Sequence, residues 1–392
     1  MGKNLKIAWH RIEPSLPIIQ TWPVSMPEAV RRLSLFGLAD PFTWARSFDQ
    51  LSTGQQARFT ACADAHAQGD VIVIDEWCNA LDELTAAAVA WSTSRALTEM
   101  NKRTVYITSR EACLTDTAWD CNLRLGWSGE VDVWWNPATP SRSTAHDLCY
   151  YTPGTGRDWK RLKPLHYIAG NPATVRSYHA IRHTKTDATL AVAILSFPAM
   201  ACSARNLASD RRYTRSHSPE IAALLNREVA VLSRIVVTPE LRGIGLASRL
   251  IREVMLREDV RYIECSTMQG EFTGWLTGCG FRPVPQMTGK AEGQLYDWGA
   301  SVLLQPADTL DAEHLREAIG RQSVRRCRAG YGAVWNYYHH YILHRRTKAP
   351  PPGRTPNPTD GRWTEALTFA ATRLRGRPSY WIVGPLNEEQ NA

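Results

Sequence analysis

The sequence predicts a two-domain α/β protein on three observations. Strand-like apolar segments alternate with helical segments over residues 51–110, which is typical of a parallel sheet covered by helices. A second alternation of strands and helices runs over residues 165–300. The length of 392 residues and the hydrophobic content of 44% suffice for two cores of ordinary size.

The predicted elements of the first domain, residues 1–136, begin with a helix around residues 27–33. Periodicity then predicts a strand at 71–74, a helix at 84–100, a strand at 105–108 and short strands over 121–136 with a turn at 126–129. The following segment is rich in Pro, Ser, Thr and Gly, so we expect a linker over residues 137–164.

The second domain, residues 165–305, mixes strands with helices and contains an irregular polar stretch over 202–220. Its predicted elements are strands at 177–181, 190–197, 229–237 and 261–265 and helices at 245–257 and 272–279. Residues 306–392 are basic and aromatic and are expected to form a C-terminal tail.

Composition and charge exclude several classes of protein. Lys and Arg number 46 against 38 Asp and Glu, and the net charge of +8 permits nucleic acid as a partner without requiring it. No apolar run approaches the ~18 residues of a membrane span, and the N-terminus lacks an apolar signal-peptide core, so we expect a cytoplasmic protein with no membrane partner. Nine singly spaced cysteines argue against a disulfide framework and a structural zinc site, and no metal is expected.

Two short motifs in the first domain suggest phosphate chemistry. The segment LSTGQQ at residues 51–56 opens a helix, so that Ser52 and Gly54 offer a hydroxyl and backbone N–H groups to a phosphate. About twenty residues later, VIVIDE ends a buried strand with Asp75, suited to Mg²⁺, and Glu76, suited to polarising water.

With these motifs, residues 30–136 resemble the ABC-type ATPases. The resemblance implies that Ser52 and Gly54 belong to the signature motif. It also places Asp75 and Glu76 in the Walker B motif and Asp82 in the D-loop. In this family, the signature motif of one subunit completes an ATP site built on the phosphate loop of its partner. ATP and Mg²⁺ are therefore expected only in a composite site, formed with a second copy or with a partner ATPase subunit.

Two departures from the ATPase pattern limit what this domain can do. The chain contains no GxxxxGK[ST] phosphate loop, and Arg110 stands where the family carries a switch histidine. Independent ATP hydrolysis is therefore not expected. The alternative is a degraded ATPase domain that is kept for dimerisation or as a scaffold.

The most informative motif of the second domain is a glycine-rich bend after a buried strand. The segment VVTPELRGIGLA covers residues 236–247, where Gly243 and Gly245 permit unusual dihedral angles and Arg242 adds positive charge. The helix that follows directs unpaired N–H groups and its positive dipole end toward a diphosphate. A dinucleotide-binding turn would instead read GxGxxG.

This motif and the surrounding elements resemble the GNAT family of N-acetyltransferases over residues 165–300. The family's Arg/Gln-x-x-Gly-x-Gly/Ala pattern matches Arg242, Gly245 and Ala247. The resemblance implies acetyl-CoA, or a related acyl-CoA, as cofactor. It also implies that the backbone of Ile235, Val236 and Val237 pairs with the pantetheine arm. The pyrophosphate would be contacted by four residues of the turn and the helix start: Gly243, Gly245, Ala247 and Ser248.

The catalytic residues are less clearly marked. Many members of the family carry a tyrosine four residues before a Gly-Phe pair, and here Leu276 occupies that position. Glu264 and Ser266 lie on one face of the strand after the CoA helix and are candidates for the general base. His166 and Tyr167 are candidates for orienting the acceptor amine. For all four, a structural role is the alternative.

The order of the two resemblances is similar to that of a family of ABC-type ATPases fused to an acetyltransferase domain. Short motifs at residues 166–167, 195–198 and 225–227 also resemble Mom-type phage enzymes, which modify adenine in DNA. We therefore expect a phage or prophage protein that acylates a nucleic-acid base in the host cytoplasm. The alternatives are acylation of a protein or small-molecule amine, and a scaffold or nucleic-acid-binding subunit that completes a partner's ATP site.

The predicted tail combines cations with aromatic rings, which is the chemistry of nucleic-acid binding. The residues expected to contact nucleic acid are Arg325, Arg326, Arg328, Tyr337 and Tyr338. The alternative is a basic helix whose aromatic side chains pack against the rest of the protein.

Overall fold

A computed structural model describes residues 11–135, 141–166, 170–172, 174–214, 218–267, 274–285, 289–343, 362–376 and 378–386. The fold is mixed α/β, as predicted. The chain forms two compact units. The first unit comprises Met1–Phe197 and Ala230–Val260, and the second comprises Pro198–Val229 and Arg261–Ala392. This division does not follow the expected boundaries, because residues of the predicted domain 165–305 lie in both units.

The N-terminal part of the first unit contains the predicted parallel strand pair. Its elements are helices α1 (Met26–Leu35), α2 (Pro41–Trp44), α3 (Thr53–Ala65) and α4 (Glu83–Glu99) and strands β1 (Val71–Ile74) and β2 (Arg103–Tyr106). The strands pair in parallel. Alanines on α4 allow its close packing, and the buried core includes Phe36, Phe59, Ile72, Ala90 and Leu97.

An antiparallel hairpin follows, as predicted for residues 121–136. It consists of β3 (Cys121–Leu125) and β4 (Val131–Trp135), joined by a turn that contains Gly126 and Gly129. Gly129 has φ +88°, a left-handed conformation that glycine adopts without strain.

The prediction of a linker over residues 137–164 is wrong from residue 144 onward. This segment contains strand β5 (Cys149–Pro153) and helix α5 (Gly156–Leu162). Its polar residues cap the helix rather than form a loop, since the Thr155 hydroxyl accepts from the Arg157 N–H and the Thr155 N–H donates to Asp158 at 2.8 Å.

The remaining strands of the first unit extend an antiparallel sheet from β5. They are β6 (Val175–His183), β7 (Thr189–Ser196) and β8 (Val229–Val237), in the order β5-β6-β7-β8. Every residue of β7 is buried. Helix α8 (Leu246–Arg257) contacts β6 and β7 and buries Leu250, Ile251 and Val254. This packing fixes the start of α8 just after the end of β8.

The second unit is built from helices and a three-stranded antiparallel sheet of order β10-β11-β9. Its strands are β9 (Tyr262–Thr267), β10 (Arg282–Val284) and β11 (Ser379–Val383). Its helices are α6 (Ser203–Ala208), α7 (Pro219–Glu228), α9 (Trp275–Gly278), α10 (Lys290–Ser301), α11 (Ala312–Gly320), α12 (Val324–Tyr338) and α13 (Arg362–Arg375). Helix α6 lies in the stretch predicted to be irregular.

The described parts of the region predicted as a basic aromatic tail form helices and a strand. Helices α10 to α13 enclose a hydrophobic core that includes Trp298, Trp335, Tyr338 and Trp363. Strand β11 pairs with both β9 and β10. The aromatic residues near residue 335 therefore form a core, as the alternative interpretation of this segment proposed.

Candidate functional site

The glycine-rich bend joins β8 to α8 and has the local conformation that its sequence predicts. A short 3₁₀ turn, Pro239–Leu241, follows the strand, and the chain then passes through Gly243 and Gly245, each with φ +90°. Gly245 is the left-handed N-cap of α8. A residue with a Cβ atom is strained at this φ, so both glycines are required by the backbone.

The bend is exposed at the helix N-terminus, with Ser34 and His146 beside it. Gly243 and Gly245 are exposed. A Cβ atom on Gly243 would lie 3.9 Å from the Ser34 carbonyl oxygen, and one on Gly245 would lie 4.0 Å from His146 Nε2. Ala247 and Ser248 lie half-buried in the first turn of α8. Open backbone with a positive dipole end suits a diphosphate.

Arg242 does not direct its charge toward this opening. Its Nε donates to the Val237 carbonyl at 3.1 Å, its Nη1 donates to the Ala39 carbonyl, and Nη1 lies 3.9 Å from Asp40 Oδ1. Asp40 also caps α2 by accepting from the Thr43 N–H at 3.1 Å. The expectation that Arg242 adds charge for the diphosphate is therefore corrected, since the guanidinium fastens the bend to residues 39–40.

The end of β8 supplies the three residues that the GNAT resemblance assigns to the pantetheine arm. Ile235, Val236 and Val237 pair with Ala193, Val192 and Ala191 of β7. A β-bulge at Ser233 interrupts this pairing, because Ile194 faces Arg234 whereas Leu195 faces Leu232. Bulges are common next to active sites, where they redirect the strand. The adjacent polar residues Ser233 and Arg234 within an otherwise apolar run are the sequence signal for it.

Glu264 lies in a buried ion pair rather than at an open site. Its carboxylate accepts from Arg205 Nε at 2.8 Å and from Arg205 Nη2 at 2.7 Å, and the Tyr380 hydroxyl donates to its Oε2. Burial and the neighbouring negative charge raise the pKa of Tyr380, which keeps this hydroxyl a donor. Both carboxylate oxygens are thus engaged, and sequence reasoning missed the two partners because they are far away in the chain.

The other catalytic candidates have different surroundings. Ser266 is exposed on the same face of β9 as Glu264 and pairs across the sheet with Tyr380. His166 is half-buried, and its ring lies edge-on to Trp159 with centroids 5.9 Å apart. Tyr167 lies outside the described residues. The roles of these four residues remain predictions.

A polar network in the first unit was not predicted from the sequence. The ring of His179 lies between the Tyr151 hydroxyl, 2.9 Å from Nδ1, and Glu258 Oε1, 3.0 Å from Nε2. Ser177 and Arg176 also donate to Glu258. The pKa of Glu258 is lowered to about 2, mainly because Glu258 is hydrogen-bonded to His179. Burial acts in the opposite direction but does not offset this effect. The network ties the end of α8 to β5 and β6.

The signature-like residues form a helix cap and a tight contact. Ser52 caps α3, since its hydroxyl accepts from the Gln55 N–H at 3.4 Å and its own N–H donates to the Gln55 side chain at 3.0 Å. A Cβ atom on Gly54 would lie only 2.5 Å from Leu81 Cδ2. Helix α3 therefore packs closely against Leu81, in the loop after β1, and glycine at position 54 allows this contact.

The acidic residues after β1 lie on an exposed and partly strained loop. Asp75 and Glu76 are exposed, and Glu76 has φ +50°, which is uncommon for a residue other than glycine and is often found at functional sites. Asp82 instead caps α4 by accepting from the Thr85 N–H at 3.0 Å. Burial raises the pKa of Asp82, but the bonds from Thr85 outweigh it and lower that pKa.

Arg110, in the place of the switch histidine, supports this loop. Its Nη1 donates to the Cys78 carbonyl at 3.2 Å and to the Leu81 carbonyl. The guanidinium therefore stabilises the conformation of the segment between Glu76 and Asp82.

The residues expected to bind nucleic acid divide into two groups. Arg325, Arg326 and Arg328 are exposed at the start of α12. Tyr337 is half-buried, and Tyr338 is 2% exposed and donates to Glu365 at 2.6 Å. The prediction that Tyr338 contacts nucleic acid is therefore wrong, because its ring cannot reach a base without leaving the core.

Comparison with known proteins gives no family assignment. No family model matches the chain, and no curated protein matches it. Among the described residues, no group of three or more His, Cys, Asp or Glu side chains could hold a metal ion. In the same part of the chain, no helix has both the length and the apolar character needed to cross a bilayer.

Proposed function

We propose that this chain is a GNAT-type N-acyltransferase that moves an acetyl or related acyl group from acyl-CoA to an amine. One observation carries the proposal: after the bulged strand β8, Gly243 and Gly245 both take φ +90° and open α8 in exposed space. An exposed helix N-terminus entered through glycine backbone supports the proposal, because such termini attract phosphate groups.

The residues of the bend fit the pyrophosphate of coenzyme A. The exposed backbone at Gly243 and Gly245, together with Ala247 and Ser248 in the first turn of α8, would hold it. The end of β8 would pair with the pantetheine arm. Acyl-CoA supplies the activated acyl thioester. Arg242 contributes indirectly, because its bond to the Ala39 carbonyl positions the bend.

We propose a nucleic-acid base as the acceptor. The exposed Arg325, Arg326 and Arg328 suit phosphate contacts, which supply most of the affinity for nucleic acid irrespective of sequence. A protein or small-molecule amine is the alternative acceptor. Mass spectrometry of nucleosides from DNA co-expressed with the protein tests this choice, and an unmodified nucleoside profile from enzyme that acylates other amines would exclude the base.

The proposed donor is tested by calorimetric titration with acetyl-CoA and, separately, with Mg-ATP. Gly245→Trp should abolish acetyl-CoA binding by filling the opening. The matched control is Gly129→Trp, because Gly129 has a similar φ of +88° and no atom within 4 Å of its Cβ position. Absence of acetyl-CoA binding to the wild-type protein, or equal loss in both variants, would overturn the proposal.

A second candidate function is a subunit that completes a partner's ATP site. The observation in its favour is that Asp75 and Glu76 are exposed beside the parallel strand pair. Apolar side chains of the pair are exposed as well: Val73 is 38% and Val105 is 47% exposed, and Ile107, directly after β2, is 48% exposed. Parallel sheets are normally covered on both faces. Mg-ATP binding that appears only when a phosphate-loop subunit is added would support this function.

A further inference from the structure

The hairpin of β3 and β4 has one face that is apolar throughout. In an antiparallel pair, residues directly opposite each other share a face, so the register defines both faces. We call one of them the hairpin face; its residues are Cys121, Leu123, Leu125, Val131, Val133 and Trp135. The opposite face carries the pairs Asn122–Trp134 and Arg124–Asp132, which suit solvent.

The hairpin face is nevertheless exposed to solvent. Leu123, Leu125 and Trp135 are 62%, 76% and 76% exposed, and Val131 and Val133 are 54% and 50% exposed. Trp127, in the turn, is fully exposed. A two-stranded hairpin with neither face covered is marginally stable in water, and contiguous exposed apolar patches mark interaction sites.

We propose that the hairpin face packs against the same face of a second copy of this chain, forming a two-fold symmetric dimer. The exposed area of its side chains is about 600 Å² per chain, which is the lower end of what each partner contributes to a standard-size interface. The area is therefore sufficient for a dimer without any additional surface.

The chemistry of the face favours a second copy over a different protein. Within the hairpin, which the structure describes completely, no charged residue lies on this face. Charges and polar groups are what normally select one partner against others, whereas a uniformly apolar face is complementary to itself. A two-fold axis in the interface plane, above the central pair Leu123–Val133 and parallel to the line that joins these residues, would set the pair Cys121–Trp135 over Leu125–Val131 of the other copy. A small and a large side chain would then pack against two of intermediate size.

Sedimentation velocity of the full chain over a range of concentrations tests the proposal. We expect a dimer for the wild-type protein. Leu123→Lys places an unpaired charge in the centre of the interface and should raise the dimer dissociation constant by about a hundredfold or more. The matched control is Asn122→Lys, which adds the same charge to the next residue on the opposite face and should leave the dimer intact.

Each outcome decides the proposal. A monomeric wild-type protein at all concentrations overturns it, and so does a Leu123→Lys variant that is folded by circular dichroism and remains a dimer. If Leu123→Lys does not fold, a double variant with Leu123→Thr and Val133→Thr replaces it, because paired threonines favour strands.

Cysteine reactivity gives an independent readout. Cys121 is the exposed free cysteine among those described, and it lies on the hairpin face. Its reaction with a maleimide should slow as the protein concentration rises through the dimerisation range. A rate that is the same at all concentrations would contradict the proposal, even if it is uniformly slow because another segment of the same chain covers the face.

Discussion

Replacing Glu264 by glutamine removes one charge from a pair that is almost fully buried. The side chains of Arg205 and Glu264 are 1% and 5% exposed, so Glu264→Gln leaves the guanidinium charged and without a counterion. Breaking a buried ion pair by removing one partner costs about 3 to 5 kcal/mol. Because the glutamine oxygen still accepts one bond, we expect the free energy of unfolding to fall by about 3 kcal/mol.

Removing both charges should cost less than removing one. In the double variant Arg205→Met, Glu264→Met, no charge is stranded, and the remaining loss is the acceptor of the Tyr380 hydroxyl, about 1 to 2 kcal/mol. Ser266→Ala is the matched control on the same face of β9, where an exposed side chain should change stability by less than about 0.5 kcal/mol.

Urea unfolding followed by circular dichroism measures these differences, together with the acyl-transfer rate of each variant. A Glu264→Gln protein as stable as the wild type would refute the reasoning, as would a double variant less stable than the single one. The rates separate the two roles of Glu264. If Glu264 is the general base, the double variant should be inactive. If Glu264 only positions other residues, the double variant should recover activity relative to Glu264→Gln.

Three other outcomes are expected. Glu258→Gln should lower stability by about 1 to 2 kcal/mol at neutral pH. Because the folded pKa of Glu258 is lowered to about 2, this difference should be complete above its ordinary pKa of 4.5 and disappear in unfolding curves as the pH falls toward 2. Arg242→Met should weaken acetyl-CoA binding in calorimetry less than about tenfold, with no change in its salt dependence, because the guanidinium is directed at the Ala39 carbonyl. A large, salt-dependent loss of affinity would instead indicate direct contact between Arg242 and the diphosphate. Replacing the three exposed arginines at the start of α12 by serine should lower the slope of log K for DNA binding against log salt concentration, measured by anisotropy titration. The decrease should correspond to the loss of about 2 to 3 phosphate contacts, whereas Tyr338→Phe should leave the slope unchanged.

Elements whose signal is local were predicted closely. Strands β1 and β8 match the segments at residues 71–74 and 229–237, because each is rich in β-branched residues and ends at a turn. Strand β5 and helix α6 were missed for the opposite reason. Their polar residues serve as caps and edge positions, and in a single sequence these have the composition of a loop.

The same distinction applies to the candidate site. The glycines of the bend were predicted because a left-handed backbone depends on the residue itself. The orientation of the Arg242 guanidinium was not predicted, because its acceptor, the Ala39 carbonyl, lies 203 residues away in the chain. The ion pair of Glu264 joins positions 59 residues apart, and the burial of Tyr338 depends on helix α13. Such pairings are set by the tertiary fold and have no local pattern.

The order of strands in the second unit has a consequence for synthesis. Strand β11 lies between β9 and β10, although the residues that it pairs with on β9 are at least 112 positions away in the chain. At about 5 to 20 residues per second, a ribosome needs roughly 6 to 20 seconds to reach β11 after completing β9. During that time the backbone edges of β9 and β10 that β11 will occupy have no neighbour, so this sheet closes late. Slow decoding of residues 285–378 would prolong that interval and increase the demand for chaperones.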